Sequence, residues 1–157
     1  MKEYDYYIYI DYSVNLIGYM IVERSKIREF IEKISKFGHY NELKHKSSYL
    51  KSIKKVIEKN NIFSYILKSK IKKRAQNIEI YTDVLEFLKL HENCIIFISV
   101  DNHEYPNFKK LVNVIDKNKT EVVRESQLGK NTYEHRMSLV LDTLLNIERL
   151  KEDRTKN

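Results

Sequence analysis

Hydrophobic and polar positions alternate with a period of two from Tyr4 to Tyr12, with Ile8 and Ile10 on one face and Tyr7, Tyr9 and Asp11 on the other. That period predicts a β-strand. A turn near Ser13 to Asn15 and a second apolar run, Leu16 to Val22, make the pair a hairpin. The period then lengthens to 3.6. Ser25 is placed to cap a helix carrying Ile27, Phe30, Ile31, Ile34 and Phe37 on one side, with Gly38 as its left-handed C-cap. Ser47 or Ser48 opens a second helix with Leu50, Ile53, Val56 and Ile57 inward, which Asn60 and Asn61 end.

Ile62 to Leu67 is a short apolar run that reads as a strand, followed by a basic linker, Lys68 to Arg74, and a further strand, Asn77 to Tyr81. Thr82 or Asp83 caps a helix ending near His91. Cys94 to Val100, CIIFISV, is a continuous apolar and β-branched run of the kind buried on both faces. Pro106 sits well in the first turn of a helix containing Phe108, Leu111, Val112 and Ile115. Thr120 to Glu125 reads as a strand, and a long helix from Thr132 to about Lys151 closes the pattern with Met137, Val140, Leu141, Leu144 and Ile147 inward. The expected fold class is α+β: one domain over residues 1–151 with a mixed sheet, an N-terminal hairpin and packed helices, then a frayed tail over 152–157.

Composition narrows the function. At 157 residues, 42% hydrophobic and 32% charged, the chain suits one packed domain. No apolar run reaches the roughly 20 residues that span a bilayer, and MKEYDYYIYI lacks a cleavage site, so an intracellular protein, with no membrane partner, is expected. The lone Cys94 excludes an internal disulfide and a multi-cysteine zinc site, and its strand context reads as a buried, inert thiol. Three Gly and one Pro beside abundant Lys, Ile and Tyr fit either a thermophile or an AT-rich genome.

Charge is unevenly spread. Asn41 to Gln76 carries eleven basic residues against two acids, +9 in a chain whose total is +7. Such a concentration binds a polyanion by counterion release, and nucleic acid is the commonest one. Lys51, Lys54, Lys55 and Lys59 on the second helix, with Lys68, Lys70, Lys72, Lys73 and Arg74 beyond it, are the candidate phosphate contacts. A solvated helix face is the bland alternative for the stripe Lys51, Lys55 and Lys59.

Hydrolysis of a phosphodiester needs activated water and a counter-charge for the transition state, which carboxylate-bound divalent metal supplies. Acids at strand ends and helix starts qualify: Asp11; the group Glu79, Asp83 and Glu86; and Asp101, followed by Asn102, His103 and Glu104. Asp83 and Glu86, three apart, suit either a metal pair or a capping box, and Asp101-Asn102 suits either a site or a turn. Hard oxygen donors point to Mg²⁺. Tyr4, Tyr6, Tyr7, Tyr9 and Tyr12 could stack on bases, although tyrosine is also a good strand former. There is no Gly-rich phosphate loop, zinc-ligand spacing, Asp…Glu-x-Lys triad or nucleophile elbow.

The length, the opening YDYYIYIDY, the basic middle and the segment IEIYTDVLEFLKLHE resemble the nucleases of Acidianus filamentous viruses, archaeal lipothrixviruses. That resemblance implies a fold remotely like nucleotidyltransferases, cleavage of linear double-stranded DNA, action in a host cytoplasm, and Glu86 as the catalytic carboxylate. A second resemblance is to ribonuclease H-like domains, which open with a hairpin whose first strand carries a metal-binding Asp. IYID ends at Asp11, Asp101 ends a core strand, and Asp142 in SLVLDTLL lies on the last helix, although the third hairpin strand expected before the first helix is absent from the pattern. The leading expectation is a deoxyribonuclease with Glu86 and Asp83 holding metal, and Asp11 and Asp101 assisting. A DNA-binding protein without catalysis and a two-metal ribonuclease H-like nuclease are the alternatives.

Overall fold

In a computed structural model, which describes residues 3–117 and 119–155, the chain forms a five-stranded sheet in the order β3-β2-β1-β4-β5. β1 (Tyr6–Ser13) and β2 (Leu16–Glu23) are the expected antiparallel hairpin. β3 (Lys68–Lys73) pairs antiparallel with β2, while β4 (Cys94–Ile98) and β5 (Glu121–Arg124) run parallel to β1. The helices are α1 (Arg24–Lys33), α2 (Lys46–Lys59), α3 (Asn77–Leu90), α4 (Glu104–Asp116) and α5 (Tyr133–Thr155). The last helix therefore extends beyond Lys151 into the region expected to fray, and residues 156–157 of that tail lie outside the described residues.

Strand alternation sorts the core into two layers. Tyr7, Tyr9, Leu16, Met20, Ile95 and Phe97 face α1, α2 and α5, whereas Ile8, Ile10, Ile17, Tyr19, Ile96 and Ile98 face α3 and α4. Both faces of the central strands are covered, which is why β4 reads as an unbroken apolar run. Two helical layers around one mixed sheet leave the carboxyl ends of β1, β4 and β5 together at one end, where side chains from different elements meet.

Several expected elements differ. Lys68 to Arg74 is not a linker: Lys68–Lys73 is edge strand β3, so the third hairpin strand is present, displaced behind the inserted α1 and α2. Its sequence KSKIKK hides the strand, because an edge strand packs little and only Ile71 joins the core. Lysines on an edge also deter pairing with another chain. Ile62 to Leu67 is a 3₁₀ turn (Ile62–Tyr65) leading into β3, not a strand. Asn77 to Tyr81 is the first turn of α3, not a strand, because Ile80, Val84, Phe87 and Leu88 bury on a helical period while Ile78 is exposed. Asp83 is consequently mid-helix and not a cap; the residue preceding α3 is Gln76. Gly38 has no left-handed φ, since α1 already ends at Lys33, and its N–H instead donates to the Tyr49 hydroxyl at 3.0 Å.

Candidate active site

The register of the three parallel strands decides which acids meet. Ile10, Ile98 and Arg124 lie side by side in one row, so the next row is Asp11, Ser99 and Glu125. That next row points toward α5, the side on which Tyr9, Phe97 and Val123 pack two residues earlier. Pairing continues into it, since the Ser99 N–H donates to Ile10 O at 2.9 Å. On β2 the partner of Asp11 is Gly18. A Cβ there would come within 3.0 Å of both Ile71 Cγ1 and Lys70 O and 3.3 Å of Leu145 Cδ2, so glycine is what allows β3 and α5 to close on the sheet beside Asp11.

From α5, Asp142 faces this row. Burial raises the Asp11 carboxyl well above its ordinary range, the charges of Glu125 and Asp142 raise it further, and hydrogen bonds from the Tyr12 N–H and the Ser99 hydroxyl oppose the rise. Glu125 is raised mainly by burial and then by Asp142, against a hydrogen bond from Ser138 and the nearby His39 and His135. Asp142 is also raised by burial, against the Tyr40 N–H, which donates to Oδ2 at 2.9 Å, and against His39, whose Nε2 lies 4.0 Å from Oδ1. Asp11 and Asp142 are buried and Glu125 is half-buried, and each carboxyl is raised first by burial, a combination that marks candidate sites for chemistry or for a cation.

The donor set fits a hard divalent cation. It offers carboxylate oxygens, and among the described residues no Lys or Arg forms an ion pair with any of the three acids. His39 Nδ1 and His135 Nδ1 are buried beside them without a hydrogen-bond partner. The carboxylates are spread more widely than a one-ion site, since their donor atoms do not all lie within 4.8 Å of one another.

Asp101 is directed elsewhere. Arg74 Nη2 approaches its Oδ2 at 2.5 Å and the Tyr12 hydroxyl donates to Oδ1 at 3.1 Å, on the α3 and α4 side of the sheet. With His103 and Glu104 it forms a cluster whose donor atoms do lie within 4.8 Å. Asp83 accepts from Lys70 at 2.6 Å and from the buried Tyr19 hydroxyl at 2.9 Å, and Lys70 above all lowers its pKa. Glu86 stands on the exposed face of α3, 3.8 Å from Lys89.

Of the basic candidates, Lys70 and Lys72 are held by Glu79 and Arg74 by Asp101, while Lys51, Lys54, Lys55 and Lys59 are exposed on α2. The tyrosines of β1 are largely structural: Tyr7 and Tyr9 are buried, and the Tyr9 hydroxyl donates to Glu134 O at 2.8 Å. The Cys94 thiol is buried and pushed up to about 12, as an inert core cysteine should be. Sequence reasoning missed Glu125 and Ser99 as site residues. The available signal was an acid one position beyond the last strand residue, but it counts only once three strands are known to run parallel in register.

No family model matches the chain, and no curated protein shows a significant sequence match. Solved structures do match. The ribonuclease H2 from Pyrococcus horikoshii OT3 superposes with a TM-score of 0.56 at 12% identity, covering 96% of this chain and 74% of that one. A chain of the PCNA:RNase HII complex from Archaeoglobus fulgidus gives 0.54 at 11% identity, covering 95% and 75%. The chain has the ribonuclease HII fold. These matches bear out the single α+β domain with a mixed sheet and do not test the remote likeness to nucleotidyltransferases. Among the described residues no helix is long and apolar enough to cross a membrane.

Proposed function

We propose that this chain is a metal-dependent nuclease that hydrolyses nucleic-acid phosphodiester bonds at Asp11, Glu125 and Asp142. The observation that carries the reading is the register row Asp11–Ser99–Glu125 facing Asp142, in a chain that shares the fold of ribonuclease HII. Asp11, Glu125 and Asp142 would hold Mg²⁺ or Mn²⁺, which supplies an activated water and counter-charge to the transition state. Ser99 and the Tyr12 N–H orient the Asp11 carboxylate, and the Tyr40 N–H orients that of Asp142. His39 and His135 lie close enough to Glu125 to interact with its carboxylate. The viral resemblance favours linear double-stranded DNA as substrate; the structural neighbours, ribonucleases by name, make a hybrid of RNA and DNA the comparison substrate.

The test incubates labelled linear duplex DNA and RNA:DNA hybrid with wild type, Asp11→Asn, Asp142→Asn and Glu86→Ala, in Mg²⁺ or Mn²⁺ and in EDTA. Cleavage lost in EDTA and in both aspartate variants, by at least a hundredfold, and kept in Glu86→Ala is the expected result. Cleavage lost in Glu86→Ala but kept in Asp11→Asn moves the chemistry to the outer face of α3, and intact but shifted DNA under every condition leaves a binding protein.

A further inference from the structure

A cleft lies between the ends of α1 and α2. It encloses about 360 Å³ and is walled by Lys33 and Lys36 on one side and Lys55 and Lys59 on the other, with Glu32 as its one acid. Asn60 Nδ2 donates to Lys33 O at 3.3 Å and ties the two walls together. Among the described residues none of these four lysines has an ion pair, in contrast to Lys70 and Lys72 on β3. Four exposed lysines lining one concavity with a single opposing acid make a surface whose charge an anion of repeating charge matches.

Position adds to this. α1 and α2 are the insertion between β2 and β3 and pack on the same face of the sheet as α5. The segment joining them contributes the Tyr40 N–H that holds Asp142. The unit that carries the cleft is therefore anchored to the acid row.

We propose that this cleft is a phosphate-backbone site of the nucleic-acid substrate, with Lys33, Lys36, Lys55 and Lys59 neutralising successive phosphates; the assignment of the anion rests on the nuclease reading. Each lysine engaged with a duplex steepens the dependence of log affinity on log salt by about 0.9. Each of the double variants Lys33→Ala with Lys36→Ala, and Lys55→Ala with Lys59→Ala, thus flattens the slope by about 1.8. Between 50 and 200 mM salt, wild-type affinity falls about 12-fold further than that of either variant.

The measurement is fluorescence anisotropy of a labelled duplex in EDTA over that salt range. Lys109→Ala with Lys110→Ala, the same charge removed from exposed positions on α4 in the opposite layer, serves as control. Flattened slopes in both cleft variants with an unaltered control establish the site. Equal slopes in all four proteins overturn it, as does binding to anionic-lipid vesicles that depends on these lysines while duplex binding does not. Cleavage assayed in parallel keeps the two readings apart: cleft variants that bind like wild type while Asp11→Asn is inactive refute the cleft alone. Cleft variants that bind weakly while Asp11→Asn cleaves normally refute the catalytic assignment alone.

Discussion

Replacing Asp11 with Asn should cost the activity and raise the stability, and the two effects have one cause. Asp11 is 9% exposed, and its carboxyl is raised first by burial and then by Glu125 and Asp142. An acid raised in the folded state costs no stability below its unfolded pKa, about 4, where both states are protonated. The cost grows as pH climbs from there to the raised folded value and is complete above it. Asparagine has the same shape, takes no charge, and its Oδ1 still accepts the Tyr12 N–H that Asp11 receives at 2.8 Å. Desolvating a carboxylate costs several kcal/mol, and the bonds from Tyr12 and Ser99 offset part of it. A net gain of about 1–3 kcal/mol remains at neutral pH, roughly 2–12 °C in Tm for a chain of this size. The assay is thermal unfolding of both proteins in EDTA across pH 3–8, read as the difference between them so that other titrating groups cancel. The gap should close toward pH 4 and shrink again at pH 8 when Mn²⁺ is added, because a cation that binds only the folded wild type restores its stability. An Asp11→Asn protein no more stable than wild type at pH 8, or a gap that widens as pH falls, would refute the strained acid row.

Three further substitutions probe the frame around the site. Val14, 70% exposed in the hairpin turn, has φ 54°, a conformation that strains a β-branched residue, so Val14→Asn should stabilise by about 1 kcal/mol in urea unfolding; no gain would show that the turn relaxes for free. Gly18→Ala should destabilise by about 1–3 kcal/mol, because Lys70 O is backbone and cannot swing aside; a smaller loss would mean that β3 shifts easily. Asp83→Ala leaves the fully buried Tyr19 hydroxyl without its acceptor, a loss of about 1–3 kcal/mol. Because Lys70 lowers the Asp83 pKa, the charge-dependent part of that loss is present above about pH 4 and disappears as pH falls through the lowered folded value, which urea titrations at pH 3 and 7 would resolve.

The hairpin, β4, β5 and α5 were legible in the chain because each carries its own pattern: alternation in β1, a continuous apolar run in β4, which is covered on both faces, and apolar positions at a 3.6 period in α5. The same local pattern misled where burial was not local. KSKIKK is a strand only because β2 offers it hydrogen bonds, and NIEIY is helical because Ile80 continues into Val84, Phe87 and Leu88. For the candidate site, Asp11 stood out as an acid at a strand end and Asp142 through the ribonuclease H-like resemblance, while Asp83 and Glu86 stood out by a spacing that the fold assigns to an ion pair and an exposed face. Glu125 showed only as an acid at the end of an expected strand, a signal that means nothing until the strand order is known. Its place beside Asp11 is set by β4 lying between β1 and β5, all parallel and in register, which is a property of pairings between segments dozens of residues apart. By itself the sequence determined which residues bury and where charge collects, since both follow from side-chain chemistry. Which acids converge was decided by the tertiary structure, because convergence depends on strand order and register that no single segment contains.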